Sequence, residues 1–194
     1  MGSFDLYIKL GFEHISDFAG FDHILFLVAL CAIYRIEQFK SLLILVTAFT
    51  VGHSITLGLS SIGTINIPSE IIEFLIPTTI LITALHNVMS HSSGDTSSRM
   101  TNNYIVALFF GFIHGMGFSN FFKALLMGDN AILMPLLGFN IGLELGQLMI
   151  VAVIIGLAYV FLNIIKVKYR DWNVFISGAA AGLAIYLMFE TKFW

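Results

Sequence analysis

Six long apolar runs, separated by short polar segments, make up most of the chain. They cover residues 18–34, 41–59, 68–89, 104–126, 133–165 and 172–189. A helix that crosses a bilayer needs about 20 mostly apolar residues, whereas the strands of a membrane barrel alternate over about ten residues. The pattern therefore predicts an all-α polytopic integral membrane protein, with one domain over residues 1–194 and about six transmembrane helices, or seven as the alternative.

Two parts of this pattern are irregular. Residues 4–12 are mostly apolar but are interrupted by Asp5 and Lys9, which predicts a short N-terminal helix lying in the membrane interface. The run at 133–165 is too long for one straight span, so it is tilted, extends out of the bilayer or is broken.

Composition excludes several classes of protein. Of 194 residues, 58% are hydrophobic and 11% are charged, whereas a soluble domain has about 25% charged residues. A soluble globular domain, a disordered chain, a coiled coil and a nucleic-acid binder are therefore excluded. The lipid bilayer is the expected partner, no nucleic acid is expected, and a homo-oligomer remains open.

Loop charges predict the orientation, because cytoplasmic loops carry an excess of Lys and Arg. Loops on one side hold Arg35, Lys40, Arg99, Lys166, Lys168 and Arg170, and the opposite side holds Lys9, Lys123 and Lys192. Both termini should therefore lie on the non-cytoplasmic side, most simply in a bacterial inner (cytoplasmic) membrane.

Short motifs occur twice along the chain. Gly11-Phe-Glu-His14 is echoed by Gly111-Phe-Ile-His114, and Phe49-Thr-Val-Gly52 is echoed by Phe139-Asn-Ile-Gly142. These matches suggest two halves of three spans that are inverted relative to each other, as in many transporters.

The fifth span has two distinct faces. Gly138, Gly142 and Gly146 are spaced four residues apart, which gives one smooth face for close helix contact. Asn140, Glu144 and Gln147 lie on roughly the opposite face. A helix with these two faces has little surface left for lipid, so we expect it to be central.

Ionisable residues inside the spans are the strongest indication of function, since a charge at mid-bilayer costs roughly 2.5–3.5 kcal/mol on insertion scales. The candidate metal ligands are His14, Asp22, His23, His53, His114 and Glu144. Residues expected in a second shell or along a pathway are Asn140, Gln147, Glu73 and His86. Imidazole and carboxylate together favour a divalent transition metal, with nickel, cobalt, zinc and copper as the alternatives.

The residues leave three functions open. A permease or facilitator for the metal ion is favoured. An intramembrane metal-dependent hydrolase acting on a lipid or membrane peptide is the less favoured alternative. The third is a non-transporting accessory protein for metalloenzyme assembly, in which the polar side chains serve helix packing only.

Several blocks resemble the HupE/UreJ family of membrane proteins, in particular its second, divergent branch. They are the segment from Gly20 to Leu30 (GFDHILFLVAL) after Gly11–Ile15, then Phe49–Ser54, Gly111–Phe118 and Phe139–Gln147. The resemblance implies a permease-like protein of six to seven helices, associated with nickel or cobalt supply to hydrogenase and urease. It also implies that His14, Asp22 and His23 recognise the ion, with His53, His114 and Glu144 continuing the site.

Overall fold

The computed structural model describes residues 3–18, 20–89, 97–126 and 132–194, and every regular element in these ranges is helical. The helices are α1 (Ser3–Ser16), α2 (Asp22–Cys31), α3 (Phe39–Ser61), α4 (Ser69–Met89), α5 (Ser97–Gly117), α6 (Ser119–Leu126), α7 (Leu133–Tyr159) and α8 (Tyr169–Glu190). A 3-10 turn precedes α3, and a π turn at Val160–Ile164 extends α7. The all-α prediction is confirmed for the described residues.

Four helical segments are long and apolar enough to cross a bilayer. They are Ile36–Ser61, Ser69–Met89, Leu133–Ile164 and Tyr169–Glu190. Helices α5 and α6 are bent by 53° at a break around Phe118 and together meet the same test. With this length and composition, the chain is an integral membrane protein.

The structure changes three of the predicted elements. The first run, residues 18–34, contains only the ten residues of α2 as helix, about 15 Å at 1.5 Å per residue, which is too short to cross the hydrocarbon core. The fourth run, residues 104–126, is the bent pair and not one straight helix. The fifth run is one continuous helix to Ile164, so the broken alternative is wrong.

Helix α1 contains the predicted N-terminal helix and packs along the first half of α7. At Gly142 the backbone approaches Ile8 O so closely that a methyl group would overlap it, and Gly11 meets Phe139 O in the same way. The side chain of Ile15 lies against Gly146. The glycine face predicted on the fifth span is thus the surface that receives α1, which makes α1 part of the bundle.

Helices α3 and α5 repeat this packing. Gly52 lies against Leu108 O, Gly111 lies against Phe49 O, and Gly115 lies against His53 O. In both pairs the contacting residue numbers increase together, so the two helices of each pair run parallel. Both pairs therefore cross in the same way, with glycines of one helix against backbone carbonyl groups of the other.

The two crossed pairs are inverted relative to each other. Gly58 of α3 faces Leu136 of α7, and Thr47 of α3 reaches Glu144 of α7, so these two helices are antiparallel. The crossed partners come from opposite halves of the chain, because α1 pairs with α7 and α3 pairs with α5. The halves are therefore interlocked.

Helices α4 and α8 close one side of the bundle. The Asn173 side chain donates to Asn87 O at 2.8 Å, and the Asn87 side chain in turn donates to Ala29 O at 2.7 Å. These buried amides join α8 to α4 and α4 to the end of α2. These contacts hold α4 against the bundle, and the Thr79 side chain on the same helix is buried.

Candidate metal centre

Three imidazoles from three helices converge inside the bundle. His14 of α1, His23 of α2 and His53 of α3 can each offer one nitrogen such that all three lie within 4.8 Å of one another. His23 is buried and His53 is fully buried. Two nitrogens that bind one cation at about 2.0–2.1 Å lie at most about 4.2 Å apart, so small movements of the side chains bring the three nitrogens into reach of a single ion.

The Asp22 carboxylate fixes the tautomer of the His23 imidazole. Nδ1 of His23 donates to Asp22 Oδ1 at 2.9 Å, and the same oxygen accepts the His23 backbone N–H at 2.8 Å. With the proton on Nδ1, the lone pair is on Nε2, which is buried and has no hydrogen-bond partner in the described part of the chain. A carboxylate behind an imidazole is the usual outer support of a metal-binding histidine.

A fourth imidazole, His114 of α5, is supported by a hydroxyl group. The Thr79 hydroxyl donates its single hydrogen to Ile76 O at 2.7 Å, so its 3.0 Å contact with His114 Nε2 must accept a hydrogen from that nitrogen. The lone pair of His114 is therefore on Nδ1, which is buried and unpartnered. The His114 ring centroid lies 5.3 Å from that of His23.

Aromatic rings enclose the cluster. Phe118 packs on His14 with ring centroids 4.0 Å apart. Phe139 lies 6.3 Å from His53, and Phe26 lies 5.1 Å from His114. Such a wall excludes water and lowers the local dielectric, so an unpaired imidazole nitrogen here costs more than it would at a surface.

The crossings explain how the imidazoles reach the centre. His14 and His114 each lie three residues after a crossing glycine, at Gly11 and Gly111, and His53 directly follows Gly52. Because glycine lets the helix axes approach, the residues next to it lie deep between helices. His23 comes from the first turn of the short helix α2, which begins inside the bundle.

Glu144, predicted as a ligand, is not among the three residues whose ligand atoms converge. Its Oε1 accepts from the Thr47 hydroxyl at 2.7 Å. Gln147 accepts from Thr50 at 2.7 Å, and the Asn140 amide donates to Leu136 O at 2.7 Å. These predicted second-shell residues instead form hydrogen bonds along the α3 and α7 faces.

Glu73 and His86 are also outside the cluster. Both are exposed on α4, and His86 lies in the last turn of that helix. Both residues fall within a predicted span, but in the structure their side chains lie on the exposed side of α4, away from the bundle interior.

Sequence reasoning missed Thr79 and the aromatic wall. The signal for Thr79 is the segment Pro77-Thr-Thr79 inside an apolar helix, because hydroxyl groups beside a proline in a span are often there to satisfy backbone or side-chain groups. The wall residues have no local signal, since phenylalanine is abundant throughout this chain.

The donor set is suited to a transition-metal cation. Among the described residues, the buried imidazole nitrogens without a hydrogen-bond partner are His14 Nε2, His23 Nε2, His114 Nδ1 and both ring nitrogens of His53. Buried polar atoms normally have partners, and neutral imidazoles favour nickel, copper, zinc or iron over magnesium or calcium. The residues present therefore fit a divalent transition metal.

Comparison with known proteins identifies the family of this chain. A search of curated proteins and of solved structures finds no match. The family model described as HupE / UreJ protein, in contrast, matches residues 1–192, nearly the whole chain. A match of that extent leads to one conclusion: this chain belongs to the HupE/UreJ family.

Proposed function

We propose that the protein is a membrane permease or facilitator for a divalent transition-metal ion, with nickel or cobalt as the first candidates from the family resemblance. The observation that carries the proposal is the convergence of His14, His23 and His53 from three helices. Asp22 and Thr79 hold two of the imidazoles in the ligating tautomer. The metal is the substrate, and the imidazoles replace part of its hydration shell.

The duplicated packing supports a transporter over an enzyme. Inverted repeats are common in secondary transporters, whose substrate sites lie near the bilayer midplane between the repeats. Here the cluster draws His14 from the α1·α7 pair and His53 and His114 from the α3·α5 pair. A site shared between two pairs can change its access when one pair moves against the other.

A metal-dependent hydrolase remains the second candidate, because a tight group of three histidines is also the ligand set of many catalytic zinc sites. In that case Asp22, already bonded to His23, would orient a ligand. Hydrolysis of a lipid or membrane peptide without metal flux would favour this candidate.

Flux across a membrane tests the proposal directly. Purified protein in proteoliposomes should take up radioactive nickel or cobalt faster than protein-free liposomes, because the buried imidazoles lower the cost of moving the cation through the bilayer. Zinc and copper are tested in parallel. Absence of protein-dependent flux for all four ions would reject the permease.

For the orientation we propose that both termini face the non-cytoplasmic side of a bacterial inner membrane, from the loop charges. In this orientation α3 runs outward and α7 runs inward. Cysteine labelling from each side of the membrane, at positions in the 3-10 turn Ile36–Gln38 and near Lys192, tests it.

The Thr79 hydroxyl should matter for metal affinity even though it touches no metal in this proposal. We expect Thr79→Val to weaken cobalt binding by about 10- to 100-fold, the usual effect of losing an outer partner of a ligand. Thr79→Ser should restore binding. The readouts are cobalt visible absorption and the 15N shifts of the His114 ring, which distinguish its two tautomers.

The neighbouring threonine supplies a matched control. Among the residues that the structure describes, the Thr78 hydroxyl bonds only to Phe74 O, at 2.8 Å within its own helix, so Thr78→Val should keep both affinity and tautomer. Equal behaviour of the two valine variants would contradict the role given to Thr79.

A further inference from the structure

A second polar cluster lies between α3 and α7, apart from the imidazoles. It consists of Thr47 and Thr50 on α3 and of Asn140, Glu144 and Gln147 on α7. We call it the α3/α7 seam. The seam lies where the α1·α7 pair meets the α3·α5 pair. Its residues are away from the ends of α3 and α7.

Three polar atoms of the seam are buried and have no hydrogen-bond partner among the described residues: Asn140 Oδ1, Glu144 Oε2 and Gln147 Nε2. Asn140 has its amide orientation set by donation to Leu136 O, so its free atom is the oxygen. Two acceptors therefore lie one helical turn apart, since Asn140 and Glu144 are related by i, i+4. Of the three residues, Gln147 is fully buried.

These atoms differ from the imidazoles in chemistry. Carboxylate and amide oxygens suit harder cations such as manganese or magnesium and cations that keep water ligands, whereas imidazole suits nickel, copper and zinc. The waters of a hydrated cation donate their hydrogens outward, to acceptors such as Asn140 Oδ1 and Glu144 Oε2. A hydrated cation therefore complements the two oxygen acceptors.

The position of the seam relates it to the imidazoles. Along α3 the order is His53, Thr50, Thr47, which covers about 9 Å at 1.5 Å per residue. In the proposed orientation Thr50 and Thr47 lie on the cytoplasmic side of His53. On α7, Gly142 packs against Ile8 and Gly146 against Ile15, so Glu144 lies at about the depth of His14, beside the imidazoles. Thr47 is exposed and Glu144 is half-buried, so this end of the seam lies at the membrane-facing surface of the bundle.

We propose that the α3/α7 seam is a second cation site, built from oxygen ligands centred on Asn140 and Glu144, which takes a partly hydrated divalent cation. It rests on the proposed function in assigning the site to the route of the transported ion. A cation that leaves the imidazoles regains oxygen ligands here, which makes its release toward water stepwise.

Equilibrium binding of two metals tests the site without any transport measurement. The full chain in lipid nanodiscs is titrated with manganese, followed by electron paramagnetic resonance, and separately with cobalt, followed by visible absorption. Glu144→Gln should weaken manganese binding by about tenfold or more, because losing a residue that only supports a metal ligand already costs about that much. The same variant should leave cobalt binding within about twofold. A double His23→Ala, His53→Ala variant should show the opposite pattern.

Two further variants guard against misfolding. Glu144→Asp keeps the carboxylate and should bind manganese more tightly than Glu144→Gln. Glu73→Gln removes an exposed carboxylate on α4 and should change neither metal. All variants are compared by size-exclusion profile.

Three outcomes overturn the inference: no manganese bound by the unaltered chain, manganese binding unaffected by Glu144→Gln, or loss of manganese together with cobalt in the double histidine variant. The first two would leave the seam as helix packing or a water site, and the third would mean one shared site. Failure of the proposed function is distinguishable, because it appears as absent metal flux while manganese binding still depends on Glu144.

Discussion

Replacing His53 by alanine should lower the affinity for cobalt or nickel by about 100-fold or more. The loss of a residue that only supports a ligand typically costs about 10- to 100-fold, and His53 is proposed as a ligand itself. His53 is fully buried, both of its ring nitrogens lack partners, and it belongs to the converging group of three. The substitution takes away one of the three proposed ligands. Cobalt titration in nanodiscs measures the effect.

His86→Ala is the matched control for this experiment. His86 is an exposed histidine near the end of α4, so the same substitution there should leave cobalt affinity within about twofold. If His53→Ala and His86→Ala bind cobalt equally well, the buried imidazoles do not form the metal centre. If both lose binding, the effect is not specific to the cluster.

Adding one methyl group at Gly142 should destabilise the protein by about 3 kcal/mol or more. Overpacking in a core typically costs 1–3 kcal/mol, and here the new atom meets the backbone carbonyl of Ile8, which cannot rotate away. Helices α1 and α7 would have to separate. Gly52→Ala should have a similar effect, because its methyl meets Leu108 O in the equivalent crossing.

Gly156→Ala, on the same helix, provides the comparison. A Cβ at Gly156 meets nothing within 4 Å, and alanine is favoured over glycine in a helix by about 1 kcal/mol. Gly156→Ala should therefore be neutral or stabilising while Gly142→Ala unfolds more easily, as measured by thermal unfolding in detergent. Equal stability of the two variants would contradict the close crossing.

Much of the fold is predictable from the sequence because lipid imposes a simple rule on the backbone. In a bilayer the backbone must satisfy its own hydrogen bonds, so apolar runs become helices, and four of the six predicted spans are single long helices. The glycine face of α7 was also predictable, since spacing by four places residues on one side of a helix. Its partner was not, because spacing does not identify what packs on that face.

The candidate site shows the same limit. Charged and imidazole groups in spans predict a polar interior, and His14, His23 and His53 meet as expected. Glu144 has the same signature but lies with Thr47, because its rotation on α7 directs it toward α3. The support of His114 by Thr79 depends on the packing of α4 against α5, which no local pattern in either segment specifies.

The interlocked crossings determine when the cluster can be completed during synthesis. His14, His23 and His53 all come from the first 53 residues, yet α1 packs on α7, and α3 on α5. Until the ribosome has delivered residues as far as Gly146, the glycine face that receives α1 does not exist. A nascent chain therefore carries its histidines without the helices that bring them together, and the proposed metal centre is complete only after the fifth long apolar segment has entered the membrane.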